Sequence, residues 1–278
     1  MSGGQLHHLA AFAQGDTGGN PAGVWIGDRL PPAAEMQRIA ADVGASETAF
    51  VAPARGPRRT IRYFSPEIEV SFCGHATIAT GVVLGHSDGV GTYTLQTPVG
   101  DVPVTAELVD GRMHASLRSV ATRQAPIADD ALQEALDCLG WSRDELDSAL
   151  PPARAWAGAW HYVIAVARRA TLERLDYDFE ALRALMQREE LTTLQLVWRE
   201  HQDLFHARNP FPVGGVVEDP ATGAAAAALG GYLRDAGHVT PPFGFDVVQG
   251  AAIGMPGRIH VCVPPEGGII VRGTARSI

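Results

Sequence analysis

The chain has 278 residues, 46% of them hydrophobic, and a formal net charge of −9. That length admits one large domain or two of ordinary size, and that charge argues against a nucleic-acid partner, which needs a clustered basic surface. All 22 basic residues are arginine, so neither a pyridoxal-phosphate enzyme, with its Schiff-base lysine, nor a P-loop NTPase, with its phosphate lysine, is possible.

No apolar run is long enough to span a bilayer, and the opening MSGGQLHHLAAFAQGD lacks the basic and apolar regions of a secretory signal. Cys73, Cys138 and Cys262 are too scattered for a disulfide framework, which fits a reducing cytoplasm and no membrane partner.

In chain order, LHHLAAFA and AGVWIG read as two strands around a Gly-Asn-Pro turn, and PAAEMQRIAA has helical spacing with proline at its start. ETAFVAP and RTIRYFSP are strand-like in their β-branched and aromatic content. Between them Arg55, Arg58, Arg59 and Arg62 read as a solvated loop entering a strand. The run HATIATGVVL is apolar throughout, the mark of a buried helix. GTYTLQTPVGDVPVTAEL and GRMHASLRSV follow as antiparallel strands. The middle carries two amphipathic helices, Asp129–Leu139 and Asp178–Glu190, with AWHYVIAVA between them as a central strand. LTTLQLVWRE and DLFHARNPF are strands again. GVVEDPATGAAAAALGGYL then leads into a second small-residue helix, and FDVVQG, RIHVCVP and GGIIVRGTA close the chain as strands.

The chain echoes itself. Arg62 lies eleven residues before Cys73 and Arg208 eleven before Asp219, each ahead of a small-residue helix and a later strand bearing glutamine. Two mixed α/β halves, each built round a buried helix, would account for the length. If both helices opened on one cleft, their N-terminal amides and dipoles would favour a carboxylate without any lysine. The alternative is two ordinary capped helices, small-sided for tight packing.

Glu47 interrupts the apolar stretch VGASETAFV. It is either a partly desolvated carboxylate suited to general acid/base work or a strand residue facing solvent. His75 is a candidate proton shuttle or a cap of its helix. Asp219 reads as an N-cap with Pro220 in the first helical turn, a role compatible with catalysis. Cys73, at a helix start, is a candidate nucleophile or base. Metal sites find no support. There is no Cys-x-x-Cys or His-Glu-x-x-His, and His201 and His206 stand five apart without a third ligand. Gly-x-Gly-x-x-Gly and Gly-x-Ser-x-Gly are also absent.

GNPAGV (Gly19–Val24), ASETAFV (Ala45–Val51), RYFSP…EVSFCGHAT and GVVEDPATGAA occur in one order. Together they resemble the phenazine-biosynthesis (PhzF-like) isomerase and epimerase family, with VVQGAAIG near Gln249 as a looser fifth motif. The resemblance implies an α+β fold of two pseudo-symmetric halves. Each is a mostly antiparallel barrel-like sheet around a central apolar helix, as in diaminopimelate epimerase and proline racemase. Residues 1–112, completed by 266–278, would form the N-terminal half and residues 113–265 the C-terminal half.

The resemblance further implies a cofactor-independent homodimer acting on a small carboxylic acid, with Glu47, His75 and Asp219 as catalytic residues. Asn20, Ser46, Cys73, Gly74, Ala76, Thr222, Gly223 and Ala224 would line the substrate. In the cysteine-pair relatives the second thiol stands where this chain has Asp219. Two readings stay open beside this one: a thiol-assisted racemase using Cys73, and a non-catalytic binding or scaffold protein of the same fold. Two departures bear on the substrate. Ala224 replaces the family's serine, and Gly254-Met255-Pro256-Gly257 replaces Gly-Arg-Pro-Ser. Both remove polar groups from the substrate side.

Overall fold

The structure is a computed structural model and describes residues 3–278. Its described residues divide into two compact units, residues 3–118 with 272–278 and residues 119–271.

The first unit contains β1 (Gly4–Ala11), β2 (Asn20–Gly27), α1 (Ala33–Val43), β3 (Glu47–Pro53), β4 (Arg58–Phe64), the short β5 (Glu69–Val70), α2 (Gly74–Ser87), β6 (Gly91–Thr97), β7 (Gly100–Val109) and most of β8 (Arg112–Ala121). The second contains β9 (Arg123–Pro126), α3 (Asp129–Leu139), β10 (Ala153–Trp156), β11 (Trp160–Val166), α4 (Arg169–Glu173), α5 (Phe179–Arg188), β12 (Leu191–His201), β13 (Leu204–Arg208), β14 (Pro210–Phe211), β15 (Val216–Glu218), α6 (Gly223–Asp235), β16 (Phe243–Gln249) and β17 (Gly257–Val263). The last strand, β18 (Gly268–Ser277), passes from the second unit back to the first at Arg272.

In the first unit the sheet order is β1-β2-β3-β4-β6-β7-β8, and β18 neighbours β8 and also pairs with β1, closing eight strands into a barrel. The second unit has the order β18-β17-β16-β13-β12-β11-β10-β9. Most pairs are antiparallel. The exceptions recur at matching places: β2–β3 and β4–β6 are parallel in one unit, β11–β12 and β13–β16 in the other. Parallel neighbours need a crossover. The second crossover of each unit, through α2 and through α6, supplies the central helix.

That position explains the composition of α2 and α6. Residues Ala76–Gly85 of α2 and Ala225–Leu233 of α6 are all buried, so neither helix has a polar face. α2 packs on β1, β2, β3 and β7, and α6 on β9 to β12 and β17. Strands come close enough that side chains would collide. A Cβ at Gly81 would stand 2.6 Å from both Ala115 Cβ and Val104 Cγ1, and one at Gly231 would stand 2.5 Å from Thr122 Cγ2. Helices on the outside are amphipathic instead. α1 buries Met36 and Ala40 against Trp25, Phe50 and Phe64, while α3 and α5 share a core with Tyr162, Leu194 and Leu196.

The strand registers extend the internal echo. Arg62 on β4 faces Phe50 on β3, and Arg208 on β13 faces Leu196 on β12. Three residues earlier, Glu47 is paired with Ala22 and Thr193 with His161. Thr193 is thus the counterpart of Glu47. Each arginine also grips a following glutamate with two nitrogens: Arg62 holds Glu69 at 2.6 and 2.5 Å, and Arg208 holds Glu218, with Nε to Oε2 at 3.0 Å. The arginine-rich segment around Arg58 is therefore not simply solvated. Arg58 pairs with Asp101 at 2.7 Å and Arg59 with Asp88 at 2.5 Å. The echo in glutamine is looser. Gln96 is aligned with Thr60, two residues before Arg62, whereas Gln249 is aligned with Ala207, one before Arg208.

Candidate active site

Glu47 opens β3, and Cys73 occupies the cap position immediately before α2. The chain separates them by 26 residues, yet Cys73 Sγ lies 3.4 Å from Glu47 Oε2. His75, in the first turn of α2, completes the group: its Nε2 is 3.3 Å from Glu47 Oε2, and its Nδ1 is 3.4 Å from Cys73 Sγ. Ser46 Oγ contacts His75 Nε2 at 3.1 Å. Four residues singled out from sequence therefore meet in the first unit. The Glu47 side chain is 22% exposed and that of His75 11%, so Glu47 is neither a solvent-facing strand residue nor a sealed core carboxylate.

The surroundings hold the start of α2 in place. Thr77 N–H makes the first intrahelical bond to Cys73 O at 3.0 Å, and Thr77 Oγ1 donates to the same carbonyl at 2.6 Å. Tyr63 Oη joins Thr77 Oγ1 at 2.7 Å. Burial pushes the Tyr63 phenol far above its ordinary range, so it stays neutral and available to that bond. The amides of Gly74, His75 and Ala76 precede the first intrahelical bond, at the positive end of the helix dipole. Ala76 is fully buried, backbone included, while a Cβ on Gly74 would meet nothing within 4 Å. Asn20, the first residue of β2, is 1% exposed.

The remaining predicted residues gather in the second unit. Asp219 is not the N-cap of α6. Thr222 takes the position before the helix, and Pro220 lies outside the first turn. The segment at Asp219 is tied back instead: its N–H donates to Asn209 O at 3.0 Å, and Thr222 Oγ1 donates to Asp219 Oδ2 at 2.6 Å. Gln249 fastens both ends of the turn. Its Nε2 donates to Asp219 O at 2.7 Å and to Thr222 Oγ1 at 3.0 Å, and its Oε1 accepts from Thr222 N–H at 3.2 Å. Sequence motifs marked Gln249 only loosely. Its role depends on β16 lying parallel to β13, which no local pattern shows.

Gly223 is buried, whereas Ala224 alone in the first turn of α6 is partly exposed, so the family's serine would present its hydroxyl there. The second departure lies close by. Gly250 has φ 81°, and a Cβ on it would stand 2.6 Å from Pro220 O and 2.3 Å from Met255 O. The Gly250–Met255 loop therefore packs directly on the Asp219-Pro220 turn.

The order of these motifs and the doubled fold match one family throughout. A sequence profile of PhzC-PhzF, the phenazine biosynthesis-like proteins, matches residues 9–276. The chain belongs to the PhzC-PhzF family. An uncharacterized isomerase of Bacillus subtilis (strain 168) is 30% identical over 275 residues, covering 95% of this chain and 93% of the relative. The trans-2,3-dihydro-3-hydroxyanthranilate isomerase of Pseudomonas fluorescens is 33% identical over 254 residues, covering 89% and 86%. Among solved structures, the Bacillus anthracis phenazine biosynthesis protein of the PhzF family superposes with a TM-score of 0.87 at 26% identity, covering 98% of this chain and 96% of that one. A probable proline racemase from Agrobacterium radiobacter K84, at 14% identity and a TM-score of 0.67 over 99% and 91% of the two chains, shares the fold. This PhzF-like protein is thus an α+β enzyme of an isomerase family, and no helix among its described residues is long and apolar enough to cross a membrane.

Proposed function

We propose that the protein is a cofactor-independent isomerase or epimerase that moves a proton on carbon in a small carboxylic acid, with Glu47 as the base. The carboxylate accepts the proton while the carbon's electron pair delocalises into the adjoining unsaturated or carboxyl group. Glu47 then returns the proton at another position or face. One observation carries this reading: Glu47 stands beside His75 and Cys73 at the N-terminus of α2, mostly but not wholly shielded from water. A carboxylate so placed has both a partner for its proton and amides to receive an anionic substrate. His75 holds Glu47 and relays its proton; Ser46 fixes the imidazole. Gly74 offers its backbone N–H group, and Asn20, Cys73 and Ala76 complete this set. Asp219 polarises or holds the substrate, with Thr222, Gly223 and Ala224 in the substrate-lining set.

The relatives named as trans-2,3-dihydro-3-hydroxyanthranilate isomerases make an unsaturated cyclic amino acid the first probe. Ala224 and the Gly254–Gly257 segment, which lack the family's polar groups, argue for a less polar substrate. We also assign the chain to the cytoplasm and to a homodimer, following the family resemblance.

Nuclear magnetic resonance of a panel of hydroxy, amino and unsaturated acids in deuterated water tests the reading. Wild-type protein should exchange substrate hydrogen at one carbon, and Glu47→Gln should lower that rate by at least a hundredfold. Exchange at the wild-type rate in Glu47→Gln would remove Glu47 as the base. The 3.4 Å contact of Cys73 with Glu47 keeps thiol-assisted racemisation as the second reading. Loss of exchange in Cys73→Ser with exchange retained in Glu47→Gln would establish it.

A further inference from the structure

We infer that Glu47, Cys73 and His75 form a binding site for a thiophilic divalent cation, zinc above all, and that the bound metal switches the enzyme off. Among the described residues these three are the one group of at least three histidine, cysteine or acidic side chains whose ligand atoms lie within 4.8 Å of one another. Their spacing is that of a tetrahedral face. With Zn–S near 2.3 Å and Zn–N and Zn–O near 2.0–2.2 Å, tetrahedral angles place sulfur about 3.6 Å from each of the other two donors and nitrogen about 3.4 Å from oxygen. The observed separations are 3.7 Å for Cys73 Sγ to His75 Nε2, 3.4 Å for Cys73 Sγ to Glu47 Oε2 and 3.3 Å for His75 Nε2 to Glu47 Oε2. The donor separations already match, and a turn of the His75 ring, whose Nδ1 lies 3.4 Å from Cys73 Sγ, points Nε2 at the ion.

The charge also fits. A thiolate and a carboxylate together offset a dication, and the neutral imidazole adds none; binding releases the Cys73 thiol proton to water. Sulfur and imidazole donors select zinc over magnesium or calcium, whose sites are built from oxygen. The Ser46 hydroxyl is exposed and gives up its 3.1 Å contact when His75 Nε2 turns to the metal. A fourth coordination position is left for water. Glu47 is the first residue of β3, His75 lies in the first turn of α2 and Cys73 caps that helix, so the face is preorganised by two rigid elements.

Metal binding stands on this geometry alone, whereas inhibition rests on the proposed role of Glu47, because a carboxylate held by zinc cannot take a proton from carbon. Chelator-treated wild-type protein titrated with Co2+ in metal-free buffer should bind one ion per chain, with thiolate-to-cobalt charge-transfer absorption that Zn2+ displaces. Cys73→Ser should abolish that absorption, and Glu47→Gln and His75→Ala should each weaken binding by about tenfold or more. The double variant His201→Ala/His206→Ala, on a second histidine–glutamate cluster with Glu200, should bind unchanged. An absent charge-transfer band, or one that survives Cys73→Ser, would overturn the metal site and leave the Glu47→Gln result standing. Hydrogen exchange should fall in proportion to zinc occupancy and return with chelator. Full exchange at full occupancy would overturn inhibition, and with it Glu47 as the base.

Discussion

Burial holds His161 at about 4, below its ordinary value of 6.5, with Nδ1 against Thr193 Oγ1 at 2.9 Å. The folded protein therefore keeps this imidazole neutral, while the unfolded chain takes up a proton below about pH 6.5. Its contribution to stability is complete above pH 6.5 and disappears as the pH falls towards 4, amounting to about 3 kcal/mol over that window. Denaturant unfolding measured between pH 7 and pH 4 should show this slope, and His161→Gln should flatten it. His7 and His238, also lowered by burial, leave a smaller residual slope of the same sign. Glu47 and His75 were visible at this scale as residue types in motifs. What the sequence did not display was their contact, since 26 residues of chain separate the carboxylate from Cys73. For Asp219 the local pattern misled. Asp-Pro before alanines is a good cap signature, but Gln249 ties Asp219 outside the helix and Thr222 takes the cap.

At the scale of the element, α2 and α6 tolerate no added bulk where strands cross them. Gly81→Ala gains about 1 kcal/mol in helix propensity but forces a Cβ to within 2.6 Å of Ala115 Cβ and Val104 Cγ1. Overpacking of this kind costs about 1–3 kcal/mol, so the variant should be destabilised, and a substitution by leucine should abolish folding. Thermal unfolding checks the first, and soluble expression the second. On the opposite side of the ledger, Arg208 and Glu218 have side chains only 13% and 4% exposed. Removing the arginine as Arg208→Ala strands a buried carboxylate and should cost about 3–5 kcal/mol. The same denaturation assay measures it. The exposed pair Arg38–Asp42 offers a contrast at 65% and 67% exposure, and Arg38→Ala should change stability by less than about 1 kcal/mol.

For the whole molecule, the decisive feature is that the last strand completes the first barrel. Ser277, Arg276 and Ala275 pair with Leu9, Ala10 and Ala11, Arg276 Nε donates to Gly18 O at 3.1 Å, and Thr274 Oγ1 donates to Met113 O at 2.9 Å. Deleting residues 272–278 leaves the backbone of β1 unpaired along this edge and opens the barrel. Amide exchange should then lose protection in β1 and β2 while β11 and β12 keep theirs. Contacts spanning over 250 residues also carry a high loop-closure cost, so formation of this edge should be late in folding.

The sequence by itself determined the local elements and the kind of chemistry. Apolar small-residue runs read as buried helices, β-branched and aromatic runs become strands, and a chain without lysine has neither Schiff-base nor P-loop chemistry. The two arginines at equal spacing already pointed to a doubled fold. Tertiary structure decided which groups touch. Parallel crossovers brought Glu47 to Cys73 and His75, and a strand register gave Thr193, which has no carboxylate, the matching place in the second unit. It also replaced Asp219 by Thr222 at the helix start. The physical reason is range: propensity, capping and periodicity act over a few residues, whereas a site is made by backbone pairings whose partners lie far apart in the chain.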